Sequence, residues 1–88
     1  MPGVPERLAA QASHFVKRLR SMDLAKPPGI AEAIDWTRAL AALGMEELDA
    51  EVVEQTLGSV LKYHEDIQRV RDQGLAALVD RARTALPV

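Results

Sequence analysis

The apolar residues at the start of the chain follow the repeat of an amphipathic helix. They recur at steps of three and four residues, as Leu8, Ala12, Phe15, Leu19 and Met22. This spacing places side chains on one face of a helix. Pro5 is well suited to the first helical turn, so the pattern predicts a helix from Glu6 to Met22 after an extended lead-in.

A second helix is predicted from Ile30 to Leu43, directly after a rigid breaker. Pro27 and Pro28 prevent a helix from running through them, and Gly29 permits a tight turn. On a helical wheel the apolar residues fill one broad arc, which comprises Ile30, Ala33, Ile34, Trp36, Leu40, Ala41 and Leu43. Gly29 also leaves the first helical amides uncovered, which makes this helix start a potential anion site as well as a plain turn.

The second half of the chain continues the helical pattern, with two places where it can break. Gly44 is the expected stop of the second helix, and Asp49 is the expected N-cap of a third that begins at Ala50. Gly58-Ser59 indicates a break within residues 50–72. The apolar phase runs on without a jump, however, so one long helix also remains open.

The apolar stripe shifts at Gly74, which predicts a separate last helix over residues 75–86. Leu75, Leu78 and Val79 lie about 100° away from the preceding stripe. This tail lies outside the strongest pattern, which leaves open that it packs on a partner instead of on its own chain. Truncation after Asp72 is accordingly expected to leave a folded bundle.

Length and composition indicate one small all-α domain, a bundle of four to five helices spanning residues 1–88. The 88 residues suffice for one modest core, and their Ala- and Leu-rich composition favours helix over sheet. With 11 basic and 13 acidic residues there is no electrostatic case for nucleic acid or an anionic membrane. The chain has no cysteine and no long apolar run, as expected of a cytoplasmic protein.

Candidate catalytic chemistry is sparse. The compact titratable cluster is His64-Glu65-Asp66, whose neighbours on a helix point in different directions, so a polar helix surface is the preferred interpretation. Glu32 and Asp35 are three residues apart and are expected to be solvated. No set of residues supplies a nucleophile, a base and an oxyanion site, so the chain alone is not predicted to be an enzyme or to carry a cofactor or metal.

Several segments, taken in order, resemble the C-terminal helical lid of MoxR-type AAA+ ATPases across Pro2 to Arg71. They are Pro2-Gly3-Val4-Pro5-Glu6, Phe15-Val16-Lys17-Arg18-Leu19-Arg20, Asp23-Leu24-Ala25-Lys26-Pro27-Pro28-Gly29-Ile30-Ala31-Glu32, Asp35-Trp36, Leu57-Gly58-Ser59-Val60-Leu61-Lys62-Tyr63 and Glu65-Asp66-Ile67. No single segment is diagnostic, but their order and spacing together are fairly specific. The resemblance implies an AAA+ lid fold, with residues 1–5 linking it to an ATPase core and residues 75–86 as an extra helix.

The resemblance also implies a function for the parent protein. In such ATPases the core binds ATP and Mg, and the lid closes over the nucleotide and contacts the adjacent subunit of a ring, commonly a hexamer. The family acts in chaperone-like remodelling or maturation, often with a von Willebrand factor A-domain protein. By this resemblance Gly29 and Ile30 would approach the nucleotide.

The sequence departs from the family pattern at the start of the second helix. Many AAA+ lids have an arginine there that touches the γ-phosphate, whereas this chain has Ile30, Ala31 and Glu32. The nearest arginine is Arg38, two turns further on, which either substitutes for it or pairs with Asp35 on the surface. The alternative function is a stand-alone helical adaptor that binds a protein through Leu75, Leu78 and Val79.

Overall fold

Five α-helices make up the part of the chain that the computed structural model describes, residues 2–84. They are α1 (Glu6–Ser21), α2 (Ile30–Ala42), α3 (Ala50–Val60), α4 (His64–Asp72) and α5 (Leu75–Thr84). No strand occurs within these residues. The predicted all-α bundle of four to five helices is therefore confirmed. The predicted end of the last helix, residues 85 and 86, lies outside the described residues.

The helix boundaries follow local signals that the sequence displays. Asp49 caps α3, because its Oδ1 accepts hydrogen bonds from the backbone N–H groups of Glu51 at 2.8 Å and Val52 at 3.3 Å. Gly44 and Gly74 follow α2 and α4 with φ of 83° and 93°, the left-handed region in which glycine is favoured. The predicted Asp49 cap, the predicted stop at Gly44 and the predicted start of a separate helix after Gly74 are confirmed.

Residues 50–72 form two helices, as favoured, but the break lies further along than predicted. Gly58 and Ser59 are helical and exposed within α3, and the chain leaves the helix at Leu61 with φ −118° and ψ 131°. Tyr63, also extended, precedes α4. Leu61 is only 2% exposed, so this extended connection keeps its side chain in the core.

The core is centred on the aromatic pair of α1 and α2. The ring centroids of Phe15 and Trp36 are 5.5 Å apart, and both side chains are buried. The indole N–H of Trp36 donates to Thr56 Oγ1 at 2.9 Å, which links α2 to α3. Other large side chains that are fully buried are Leu8, Leu19, Leu40, Leu48, Val53, Leu57, Leu61, Val70 and Val79.

The last helix belongs to this core, so of the two packings left open by the sequence the one on its own chain is found. Four of its side chains are buried, namely Leu75, Leu78, Val79 and Ala82. Helix α5 packs against α1 and α3. The shift of the apolar stripe at Gly74 therefore marks a change of direction that returns the chain to its own bundle.

The broad apolar arc predicted for α2 is only partly buried. Trp36 and Leu40 are about 1% exposed, whereas Ile30 and Leu43 are 70% and 64% exposed. Ile30 is the first residue of α2 and Leu43 is its C-cap, so the exposed apolar side chains lie at the two ends of the helix. Its ends therefore present two large apolar side chains at the surface.

Candidate functional site

The structure places two of the three predicted site residues together. Gly29 is the N-cap of α2 and Ile30 its first residue, and both line a groove between α1 and α2. Arg38 is exposed further along the helix, about 12 Å from Ile30 at the helical rise of 1.5 Å per residue. It does not line the groove.

Arg38 does not form the surface ion pair with Asp35 that the spacing suggested. Among residues 2–84 the ion pairs are Arg7–Glu47, Arg83–Glu47, Arg69–Asp23 and Arg71–Glu54. Both Arg38 and Asp35 are exposed. An exposed pair of this kind contributes little to the free energy of unfolding, so the bundle does not depend on it.

A carboxylate of the chain itself occupies the start of α2. No side chain caps Gly29 by a hydrogen bond, but the Glu32 side chain folds back against it. A Cβ built on Gly29 would lie 2.9 Å from Glu32 Oε2. An acid in the first helical turn is stabilised by the helix dipole, and here it adds a negative charge close to the helix start where an external anion would bind. This arrangement disfavours phosphate at the amino end of α2.

The loop that leads into α2 is held by a buried carboxylate that the sequence interpretation missed. Asp66 in α4 is 0% exposed, and its two oxygens accept from the backbone N–H groups of Ala25 at 2.8 Å and Lys26 at 2.9 Å. The prediction of a polar helix surface is therefore wrong for Asp66, although His64 and Glu65 are exposed. The three side chains do not converge.

A signal for Asp66 was present in the sequence. It lies four residues before Val70, which is also buried, so it occupies a position on the inward face of α4. A carboxylate on that face requires hydrogen-bond donors, because burying it unpaired is very unfavourable. The donors are backbone amides of the irregular segment before Pro27, where no helix or sheet supplies partners.

The groove between α1 and α2 is an apolar concave surface that includes the start of α2. It has a volume of about 220 Å³, and Ala12, Val16 and Thr37 form its buried base. Thr37 Oγ1 donates to the Ala33 carbonyl at 2.7 Å, so the hydroxyl is satisfied within the chain. Ile30 lies at one edge, and Lys17 and Arg20 of α1 also line the groove.

Metal-binding and membrane-spanning features are not found in the part of the chain described. Within residues 2–84, no group of three or more His, Cys, Asp or Glu side chains is arranged to hold a metal ion. Over the same residues, no helix has both the length and the apolar character that crossing a bilayer requires.

Comparisons with known proteins do not assign this chain to a family. Protein-family models, curated proteins and solved structures were each searched, and none of the three gave a significant match to this chain.

Proposed function

We propose that the chain is the C-terminal helical lid of a MoxR-type AAA+ ATPase. One observation carries the proposal. Two segments of the resemblance, Asp23–Glu32 and Glu65–Ile67, are separated by about forty residues of sequence yet are joined by both hydrogen bonds of Asp66. Their shared contact gives a structural reason for their order and spacing. The all-helical fold is compatible with a lid.

In this proposal the lid acts as a nearly rigid body. Its helices pack around Phe15 and Trp36, and the loop before α2 is fixed by Asp66, so the start of α2 keeps its position relative to the bundle. Close-packed interiors of this kind transmit displacement with little internal deformation. ATP and Mg²⁺ would be bound by the parent's core, and nucleotide-driven closure would be relayed by the lid to the adjacent subunit of a ring.

The start of α2 suits an apolar contact better than a phosphate contact. Ile30 is 70% exposed, and Glu32 lies against Gly29. We expect Ile30 to meet the core or the base of the nucleotide on closure, because the carboxylate repels phosphate. Arg38, on the surface away from the groove, has no geometry that favours a substitute sensor role. Remodelling activity and a von Willebrand factor A-domain partner belong to the same proposal.

The alternative of a stand-alone adaptor required Leu75, Leu78 and Val79 to be exposed for binding, and they are buried. Leu75, Leu78 and Val79 are 9%, 6% and 1% exposed within the chain's own core. They cannot contact a partner without unfolding of α5. The lid is therefore the function that we propose.

The reading frame around the Met1 codon provides the first test. We expect it to continue upstream into a phosphate-binding loop followed by acids that bind Mg²⁺. Translation that starts at Met1 would overturn the proposal.

A matched pair of variants in the full-length protein provides the second test. Ile30→Glu should lower the rate of ATP hydrolysis about tenfold. This corresponds to an increase of roughly 1.4 kcal/mol in the activation free energy. Leu43→Glu changes an equally exposed side chain at the other end of α2 and should leave the rate within about twofold. Equal effects of the two variants would contradict a nucleotide-facing role for Ile30. The chain alone should not hydrolyse ATP.

A further inference from the structure

The groove between α1 and α2 has an apolar base and positively charged residues on its α1 side. Its base is formed by Ala12, Val16 and Thr37, and its walls include half-buried Ala33 and Ile34. The two charged residues that line it are Lys17 and Arg20, and no acidic residue does. The groove is thus basic although the chain as a whole carries a net charge of −2.

The two cations are available to an external acid. Lys17 and Arg20 are exposed on α1, and neither takes part in the ion pairs found among residues 2–84. Glu32 lies on the other side of α2, where it borders a separate depression beside Pro27 and Pro28. An acidic ligand in the groove therefore meets attraction from the two cations of α1, while the Glu32 carboxylate lies against Gly29 and disfavours acids at that lining residue.

The groove is sized for one large side chain. Its volume of about 220 Å³ is below the 300–1,000 Å³ typical of small-molecule sites. Exposed Ile30 at its edge extends the apolar surface outward. These dimensions fit an anchor residue that inserts while its neighbours remain on the rim, as in peptide recognition by pockets.

We propose that the α1–α2 groove binds an acidic protein segment that inserts one large apolar side chain. Lys17 and Arg20 pair with acids flanking the anchor, and Ala12, Val16 and Ile30 contact the anchor itself. The proposal does not depend on the lid function, because it concerns the bundle alone. A nucleic acid or an anionic membrane fits less well, since two cations on an acidic chain offer little attraction to an extended array of phosphates.

The direct test uses the full 88-residue chain, labelled with ¹⁵N, and short peptides of defined charge. Each peptide has a central leucine, phenylalanine or tryptophan between glutamates. We expect amides of α1 and α2 around the groove to shift, with a dissociation constant on the order of 0.1–1 mM for the best anchor. Binding should weaken as salt is raised, because the rim pairs are exposed.

Control peptides separate the two parts of the recognition. Replacing the glutamates by lysines, or the central residue by glycine, should each weaken binding about tenfold or more. Failure of all three acidic peptides to shift the groove at millimolar concentration would overturn the proposal. Equal binding of the lysine peptides would also overturn it. A third contrary outcome is that anionic phosphatidylglycerol vesicles or single-stranded RNA shift the same amides while no peptide does.

Charge variants locate the rim. Lys17→Glu combined with Arg20→Glu should weaken the acidic peptide about tenfold. Arg18→Glu combined with Arg38→Glu makes the same change in net charge at exposed positions outside the groove, and should change the affinity less than about twofold. Equal losses in the two double variants would indicate a general charge effect and overturn the assignment.

A filling variant locates the anchor site. Ala33→Leu adds bulk within the groove and should abolish peptide binding, while Ala39→Leu, exposed elsewhere on α2, should not. The amide spectrum of each variant without peptide establishes that the bundle is folded. Undiminished binding by folded Ala33→Leu would overturn insertion at this groove. If Ala33→Leu does not fold, Ile30→Ser takes its place with Leu43→Ser as its control.

Discussion

The Oε1 atom of Gln11 accepts a hydrogen bond from the backbone N–H of Leu48 at 2.7 Å. Gln11 is only 4% exposed, and its amide nitrogen also contacts the Arg83 carbonyl at 3.4 Å. A polar side chain on the inner face of α1 thus connects the segment before α3 with the end of α5. Its acceptor satisfies a buried amide for which no helix or sheet partner exists.

Replacing Gln11 by leucine should destabilise the bundle. Leu48 N–H would lose its acceptor in a buried position, at a cost of about 1–3 kcal/mol in the free energy of unfolding. Urea titration followed by circular dichroism measures the change. Gln55→Leu, at an exposed position of α3, is the control and should stay within about 0.5 kcal/mol. A similar small effect for Gln11→Leu would show that the Leu48 amide finds water instead.

Trp36→Ala should lower the free energy of unfolding by roughly 3–5 kcal/mol, because it removes the largest buried side chain and its contact with Phe15. Thr56→Val tests the hydrogen bond separately. It leaves the indole N–H without its acceptor and should cost about 1–2 kcal/mol. Denaturant titration measures both. A loss below about 1 kcal/mol for Trp36→Ala would mean that the indole is not in the core.

Asp66→Ala should release the loop before α2 from α4. Two charge-assisted hydrogen bonds are lost, and we expect the free energy of unfolding to fall by about 2–4 kcal/mol. Asp66→Asn keeps one acceptor oxygen and should have a smaller effect. Thermal unfolding of the two variants gives the ranking. Glu65→Ala, exposed one residue earlier, should be nearly neutral. Equal stability of Asp66→Ala and Glu65→Ala would contradict the role of Asp66 in holding the loop.

Truncation after Asp72 should unfold the chain, which reverses the expectation from the apolar pattern. The buried side chains of Leu75, Leu78 and Val79 contribute about 5–9 kcal/mol by burial. A domain of this size has a total free energy of unfolding of roughly 5–10 kcal/mol. The far-ultraviolet circular dichroism of the truncated chain measures the outcome. A retained helical spectrum with cooperative melting would show that α5 is dispensable.

Local signals in the sequence predicted most of the helix boundaries. The proline pair, the Asp49 cap and the glycines at 44 and 74 act through the backbone of their own neighbourhood, so single-chain reasoning captures them. The break between α3 and α4 was misplaced because Gly58-Ser59 is tolerated within a helix. Leu61 instead leaves the helix where its side chain can be buried.

The errors at the candidate site have one physical origin, which is contact between residues distant in sequence. A helical wheel assigns Ile30 and Leu43 to the apolar side of α2, but burial depends on how far neighbouring helices extend. The role of Asp66 depends on unpaired amides forty residues earlier. The groove between α1 and α2 requires two helices at a known separation. Periodicity within one helix contains none of this information.

The bond from Asp66 to the Lys26 amide also makes that amide a reporter of distant events. Amide protons in irregular surface segments normally exchange with solvent quickly, whereas this one is protected by a side chain of α4. Its exchange with deuterium should therefore depend on the equilibrium for opening the contact between this loop and α4, so a single proton before Pro27 would report on a contact with a residue forty positions later.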